Sequence, residues 1–109
     1  MIDGLWTVHY YGPQGNGAGI VVLLKGQVYG GDNGFFYIGS YEEKGDAFNG
    51  KVSIKNFDAL IPNVIGVVGD FDLLLEGTIQ GDTIKGTGAL TVAPDAKIVV
   101  NLLKRANIA

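Results

Sequence analysis

The chain has 109 residues, the size of one domain, and its 8 basic and 11 acidic side chains give a net charge of −3. The absence of cysteine excludes disulfides, thiolate metal sites and cysteine nucleophiles. Hydrophobic residues make up 47% of the chain and charged residues 17%, which excludes a disordered protein. Glycine is the outlier, with 18 residues, more than twice its usual share of about 7%. This composition predicts many short strands joined by tight turns.

Apolar residues alternate with polar ones along most of the chain, and Gly, Asn or Asp ends each run. A period of two is typical of strands that have one buried and one solvent-exposed face. The alternation predicts eight strands, at residues 4–11, 18–24, 27–29, 35–42, 48–55, 70–79, 83–92 and 97–105. Six side chains on the first and sixth strands are expected to point inwards: Trp6, Val8, Tyr10, Phe71, Leu73 and Leu75. We also assign four aromatic residues of the fourth strand to the core: Phe35, Phe36, Tyr37 and Tyr41.

Short, evenly spaced antiparallel strands favour an all-β up-and-down barrel, because closure removes unpaired strand edges. The predicted domain spans residues 1–105, and residues 106–109 form a C-terminal tail. A two-sheet sandwich is the alternative fold. Residues 57–69 are too apolar for an ordinary loop, and a helical turn is expected there.

Residues that support catalysis are sparse. His9 is the single histidine, and neither Ser40 nor Ser53 lies at the strained strand-to-helix turn of a hydrolase triad. Alternation places the acidic side chains of residues 70–76 opposite the apolar ones, so a solvated face is expected. The glycines of residues 15–19 lack the helix that a phosphate loop requires, and turn chemistry explains them. We predict a protein that is not an enzyme, with no catalytic residue, metal or cofactor.

Nucleic acid and membrane are not expected partners. The net charge is negative, and no basic residue lies between Gly26 and Lys44, where aromatic residues would otherwise suit base stacking. The sequence shows neither a signal peptide nor an apolar run long enough to cross a bilayer. We therefore expect a cytoplasmic protein.

The apolar segment at residues 60–68 is the main candidate contact surface. A connecting segment normally runs over the surface, and exposed apolar surface usually marks a protein interface or a ligand mouth. The alternative is a lid that packs across one end of the barrel. Four residues of this segment are predicted to contact a partner: Leu60, Ile61, Val64 and Ile65.

Gly30-Gly31-Asp32, followed after four residues by Tyr37-x-Gly39, resembles a signature of a family of bacterial negative regulators. This is the GrlR-like family, which represses type III secretion genes. Similar motifs occur in the same order at residues 3–6, 61–65 and 70–73, so the resemblance touches roughly residues 3–79. It implies a lipocalin-like eight-stranded barrel that forms a homodimer. It also implies that the protein binds and sequesters a helix-turn-helix transcriptional activator, which then cannot reach DNA.

One part of the sequence departs from this family. The family has an unbroken acidic run in the turn after the Tyr-x-Gly strand, whereas Lys44 and Gly45 interrupt the run here. The weakened acidic turn retains Glu42, Glu43 and Asp46, which we expect to steer a basic partner. The pathway that the protein regulates can therefore differ from secretion.

A carrier of a small apolar ligand is the alternative function. An eight-stranded barrel holds either packed side chains or one small ligand, and the many inward aromatic residues favour a filled interior. A cavity of at least ~300 Å³ would support the carrier, and a fully packed barrel would exclude it. For self-association, we predict a two-fold dimer through residues 60–68, so that Ile61→Asp or Val64→Asp yields a folded monomer.

Overall fold

Eight antiparallel strands form a closed barrel in which each strand pairs with the next in the chain and the last pairs with the first. The computed structural model describes residues 2–13, 15–58, 70–93 and 95–108. The strands are β1 (Gly4–Gly12), β2 (Gly15–Leu24), β3 (Gln27–Gly31), β4 (Phe35–Lys44), β5 (Ala47–Asn56), β6 (Phe71–Gln80), β7 (Thr83–Leu90) and β8 (Lys97–Ala106). This confirms the all-β up-and-down barrel and excludes the sandwich.

The barrel has two ends of different character. At the Trp6 end, β1, β3, β5 and β7 begin; at the Asp32 end, they finish. The Trp6 end is densely packed, since Trp6 is fully buried and its indole Nε1 donates a hydrogen bond to the carbonyl oxygen of Ile2 at 3.0 Å. Ile84, on the neighbouring part of β7, is also almost fully buried. A buried indole needs such an acceptor, and the bond holds the N-terminal residues across this end.

Alternation along the strands separates the core from the outer wall as predicted, with one error. Trp6, Val8, Phe71 and Leu73 are buried, and Tyr10 and Leu75 pack against the core. Phe36, however, is 37% exposed on the outer wall. Its two neighbours in sequence, Phe35 and Tyr37, point inwards, so the pleat turns Phe36 outwards.

The second strand begins earlier than its apolar run predicts. Gly12 pairs with Gly15, so β2 continues β1 through a hairpin, and residues 15–17 belong to a strand rather than to a loop. Glycine carries no side chain that would reveal alternation, so this part of the sequence has the appearance of a turn. Gly17 and Gly19 therefore serve strand packing, and the assignment of turn chemistry to them was wrong.

The predicted segment at 57–69 lies largely outside the described residues, which end at Asp58 and resume at Asp70. The four partner-contact candidates there, Leu60, Ile61, Val64 and Ile65, are likewise outside the described part of the chain. In the residues that the structure does describe, no helix has the length and apolar character needed to cross a bilayer.

Candidate functional site

A carboxylate and two tyrosines meet inside the Asp32 end of the barrel. Asp32 follows β3, and its Oδ2 accepts a hydrogen bond from the hydroxyl of Tyr10 on β1 at 2.5 Å. The same oxygen accepts a hydrogen bond from the hydroxyl of Tyr37 on β4. Oδ1 accepts hydrogen bonds from the backbone N–H groups of Gly34 and Phe35, each with an N···O distance of 2.9 Å. Asp32 thus closes the β3–β4 turn with one oxygen and holds both phenols with the other.

Glycines of β2 provide the space for the two phenol rings. A Cβ atom on Gly17 would overlap the ring of Tyr10, and one on Gly19 would lie 2.9 Å from Oη of Tyr37. A larger residue at Gly17 would displace the Tyr10 ring, and one at Gly19 would displace Tyr37 as well as the carbonyl oxygen of Gly31 on β3, which would lie 2.8 Å from the added Cβ, since real Cβ atoms do not approach heavy atoms so closely. The glycine-rich start of β2 is therefore a packing requirement of the Tyr10–Asp32–Tyr37 cluster.

Hydrogen bonding decides the charge of this cluster. Burial tends to raise the pKa of the Asp32 carboxyl, but the hydrogen bonds from Tyr10, Tyr37 and two backbone N–H groups outweigh it and lower that pKa. Burial, together with the hydrogen bond to Asp32, raises the pKa of Tyr10 to about 12. The same causes raise the pKa of Tyr37. At neutral pH the cluster is one carboxylate that accepts from two protonated phenols.

An apolar cavity of about 220 Å³ extends from this cluster into the barrel. Its described walls are aliphatic and aromatic apart from the cluster and two exposed asparagines, Asn16 and Asn33, at the Asp32 end. The interior is therefore packed at the Trp6 end and empty near the middle, contrary to the filled interior expected from the aromatic content. Its volume lies below the ~300 Å³ at which ordinary ligand pockets begin, so any occupant is small.

A second feature lies on the outer wall, where apolar side chains of adjacent strands cluster. In the register, Tyr29 lies opposite Ile38, while Ile20 and Phe36 lie on either side of Gly31. The ring of Phe57 is 6.4 Å from that of Phe36. We call these five residues, each between 37% and 59% exposed, the outer apolar face.

The acidic turn predicted from the sequence adjoins this face. Glu42, Glu43 and Asp46 are all exposed and belong to the hairpin that joins β4 to β5 at the Trp6 end. Gly45 is the first of the two turn residues and has a φ of 59°, as a tight hairpin of this kind requires. Lys51 lies opposite Ser40 on the outer side of β5, and exposed Glu76 of β6 lies opposite Asn49, so a basic and an acidic group both border the hairpin.

The remaining sequence candidates are scattered. His9 is exposed on the outer side of β1, while Asp32 lines the interior, so the structure does not bring them together. Asp72 lies on the outer side of β6, as predicted, where it accepts a hydrogen bond from Ser53 at 2.7 Å. Within residues 2–13, 15–58, 70–93 and 95–108, no group of three or more His, Asp or Glu side chains could hold a metal ion.

Comparison with known proteins adds no assignment, because no protein-family model and no curated protein matches the chain. The resemblance to GrlR-like regulators stays a prediction.

The Tyr10–Asp32–Tyr37 cluster is the feature that sequence reasoning missed. From the sequence we identify Asp32 only as part of the Gly30-Gly31-Asp32 motif and assign the tyrosines only to the core. A signal was nevertheless present, because an inward-facing tyrosine needs a partner for its hydroxyl. Two such tyrosines and a nearby turn aspartate together indicate a shared hydrogen-bond acceptor.

Proposed function

We propose that this protein is a non-enzymatic regulator that acts by protein–protein contact, through the outer apolar face and the acidic hairpin. The outer side of β4 carries this proposal. Phe36 and Ile38 of the apolar face, Ser40, and then Glu42 follow one another on the same exposed side of one strand. Ile38 and Glu42 are about 13 Å apart at ~3.3 Å per residue, so one ordinary protein interface covers both.

The chemistry of this surface suits a partner that is apolar at its centre and basic at its edge. Exposed clusters of large apolar side chains are unusual on soluble monomers and mark contact sites. Acidic groups at the rim increase the rate of encounter with a basic partner. A DNA-binding activator has such a basic surface, and the GrlR-like resemblance implies a helix-turn-helix activator. We therefore propose a cytoplasmic repressor that sequesters the activator, and a homodimer as its assembled form.

Affinity purification from cells that express the protein natively, followed by mass spectrometry, tests this function. We expect near-stoichiometric recovery of a DNA-binding regulator. Ile38→Asp should abolish that recovery, because it places a charge at the centre of the contact. Glu42→Gln should slow association with the recovered partner and weaken its dependence on salt.

Val99→Asp is the matched control. Val99 is 48% exposed and Ile38 is 47% exposed, but Val99 lies on β8, which is four strands away from β4 in the barrel and carries no residue of the outer apolar face. The proposal is wrong if no regulatory protein is recovered at near-stoichiometric amounts. It is also wrong if Val99→Asp and Ile38→Asp reduce recovery equally while both variants remain folded.

The second candidate function is the binding of a small apolar ligand inside the barrel, because the cavity, although below the ~300 Å³ set for an ordinary ligand pocket, has an apolar wall that suits a smaller molecule. An apolar cavity of 150 Å³ is large enough to hold benzene, and this cavity measures about 220 Å³. Native mass spectrometry of the protein from its natural source should show a retained small molecule. The candidate is excluded if the spectrum shows only the mass of the unliganded chain and if small apolar probes do not bind to the purified protein.

A further inference from the structure

The hydrogen bonds of Asp32 occupy its carboxylate fully. A carboxylate offers about four lone-pair positions, two on each oxygen. Two backbone N–H groups, from Gly34 and Phe35, bind Oδ1, and two phenol hydroxyls, from Tyr10 and Tyr37, bind Oδ2. The charged group therefore has no acceptor position left for a ligand, although it lines the cavity.

The two phenols can act towards a ligand only as acceptors. Each phenol has a single hydrogen, and each directs it to Asp32. Both residues line the cavity, so what they can offer a ligand is the lone-pair density on Oη that their contact with each other leaves over. The carboxylate that accepts both hydrogens polarises the two O–H bonds and makes these oxygens better acceptors.

No other described side chain of the cavity wall is held in place as a hydrogen-bond donor to a ligand. Asn16 and Asn33 are exposed, and an amide can turn either its oxygen or its nitrogen to a ligand. The other described side chains of the wall are apolar, and the glycines of β2 offer no polar side chain. Among the described residues, the only preoriented polar side chains of the cavity thus accept hydrogen bonds and lie next to a negative charge.

From this geometry we propose that the cavity selects small apolar molecules with a neutral or cationic hydrogen-bond donor and rejects carboxylates such as fatty acids. The proposal rests on the ligand-binding function described above and specifies its ligand class. Scaling from six non-hydrogen atoms of benzene in 150 Å³, a cavity of about 220 Å³ holds about nine. An eight-carbon alcohol matches this size, with its hydroxyl at the phenols and its chain along the apolar wall.

Three probe molecules of nearly equal size distinguish the effects of a hydrogen-bond donor, a hydrogen-bond acceptor and a negative charge on binding. 1-Octanol carries a donor, 2-octanone is an acceptor without a donor, and octanoate is an anion. Isothermal titration calorimetry on the full chain should give at least about tenfold tighter binding of 1-octanol than of 2-octanone. Octanoate should bind more weakly than both, because its charge faces the half-buried Asp32.

Asp32→Asn reverses the hydrogen-bond direction and is the sharpest variant. Its amide oxygen still accepts the N–H groups of Gly34 and Phe35, while its NH₂ group donates to the phenol oxygens. The hydrogens of Tyr10 and Tyr37 are then free to face the ligand, so the preference should invert towards 2-octanone. Tyr10→Phe keeps the Asp32 hydrogen bonds that close the β3–β4 turn, and it should reduce the preference for 1-octanol. It replaces Asp32→Asn as the test variant if Asp32→Asn does not fold.

The possible outcomes distinguish this proposal from the function on which it rests. If none of the three probes binds, the ligand-binding function itself is wrong. If the unmutated protein binds all three equally, or octanoate most tightly, the cavity binds ligands but the proposed selectivity is wrong. Selectivity that persists in both Asp32→Asn and Tyr10→Phe would remove the cluster as its cause. Tyr29→Phe, on the outer wall, is the control and should leave all three affinities unchanged.

Discussion

Replacing Tyr37 with phenylalanine isolates the contribution of one hydroxyl to the barrel. The Tyr37 ring is buried, at 7% exposure, and it keeps its packing in Tyr37→Phe because only the oxygen is lost. The hydroxyl donates to Oδ2 of Asp32, so its removal leaves a half-buried carboxylate with one donor fewer. The substitution therefore tests whether the cluster stabilises the fold as well as the cavity.

The expected loss of stability follows from the charge of the acceptor. A hydrogen bond to a charged group contributes about 1.5–3 kcal/mol, and removing one partner of a buried pair carries the cost of the group left behind. Because Asp32 is only half-buried, water replaces part of the lost bond, and we expect a decrease of about 2 kcal/mol in the free energy of unfolding. For a domain near 100 residues this lowers Tm by about 8 °C.

Urea and thermal unfolding followed by circular dichroism measure this decrease. Tyr29→Phe is the matched control, since Tyr29 is 49% exposed on the outer wall and should change stability by less than about 0.5 kcal/mol. A double-mutant cycle with Asp32→Asn should give a coupling energy of about 1 kcal/mol or more. The reasoning fails if Tyr37→Phe is as stable as the unmutated protein, or if Tyr29→Phe is destabilised equally.

Three further predictions concern other parts of the molecule. The pKa of Tyr10 is about 12 in the folded state and near 10 in the unfolded state. The contribution of the Tyr10 hydroxyl to the free energy of unfolding is therefore complete below about pH 10. The stability advantage over Tyr10→Phe should therefore vanish between about pH 10 and 12 in urea titrations; an advantage unchanged across this range would contradict the assignment. Lys25 has a φ of 50° in the β2–β3 turn, where asparagine is favoured, so Lys25→Asn should increase the free energy of unfolding by up to about 1 kcal/mol, and a decrease would refute the turn assignment. Light scattering at ~100 µM should show a dimer that Ile61→Asp, but not Val99→Asp, converts to a folded monomer.

The barrel could be predicted because alternation survives in most of its strands. Each predicted strand corresponds to an observed one, and most bounds differ by one or two residues. The exception is the start of β2, at Gly15, where glycine gives no alternation signal. The error at Phe36 has a different cause, since aromatic character was given more weight than its position between two inward residues. The alternation of the strand predicts the outward orientation of Phe36 correctly, whereas its aromatic character does not.

The cluster and the cavity could be predicted only in part. Tyr10 and Tyr37 face inwards by alternation, but β1 and β4 are separated by two strands in the sheet. Only the curvature of the closed barrel brings both hydroxyls to one oxygen of Asp32, and this curvature depends on stagger and tilt that no local pattern contains. The cavity volume depends on how all the inward side chains pack together, so the count of aromatic residues overestimated the filling.

Strand β4 contributes to both candidate functions, because its pleat places alternate residues on opposite sides of a single wall. Tyr37 points into the cavity, while its neighbours Phe36 and Ile38 belong to the outer apolar face. A substitution at Ile38 therefore changes the outer surface without removing a cavity-lining side chain, and Tyr37→Phe does the reverse. Since the two sides are chemically separable at adjacent positions, a ligand in the barrel and a protein on its wall are not competing explanations. Each can be tested without disturbing the residues on which the other depends.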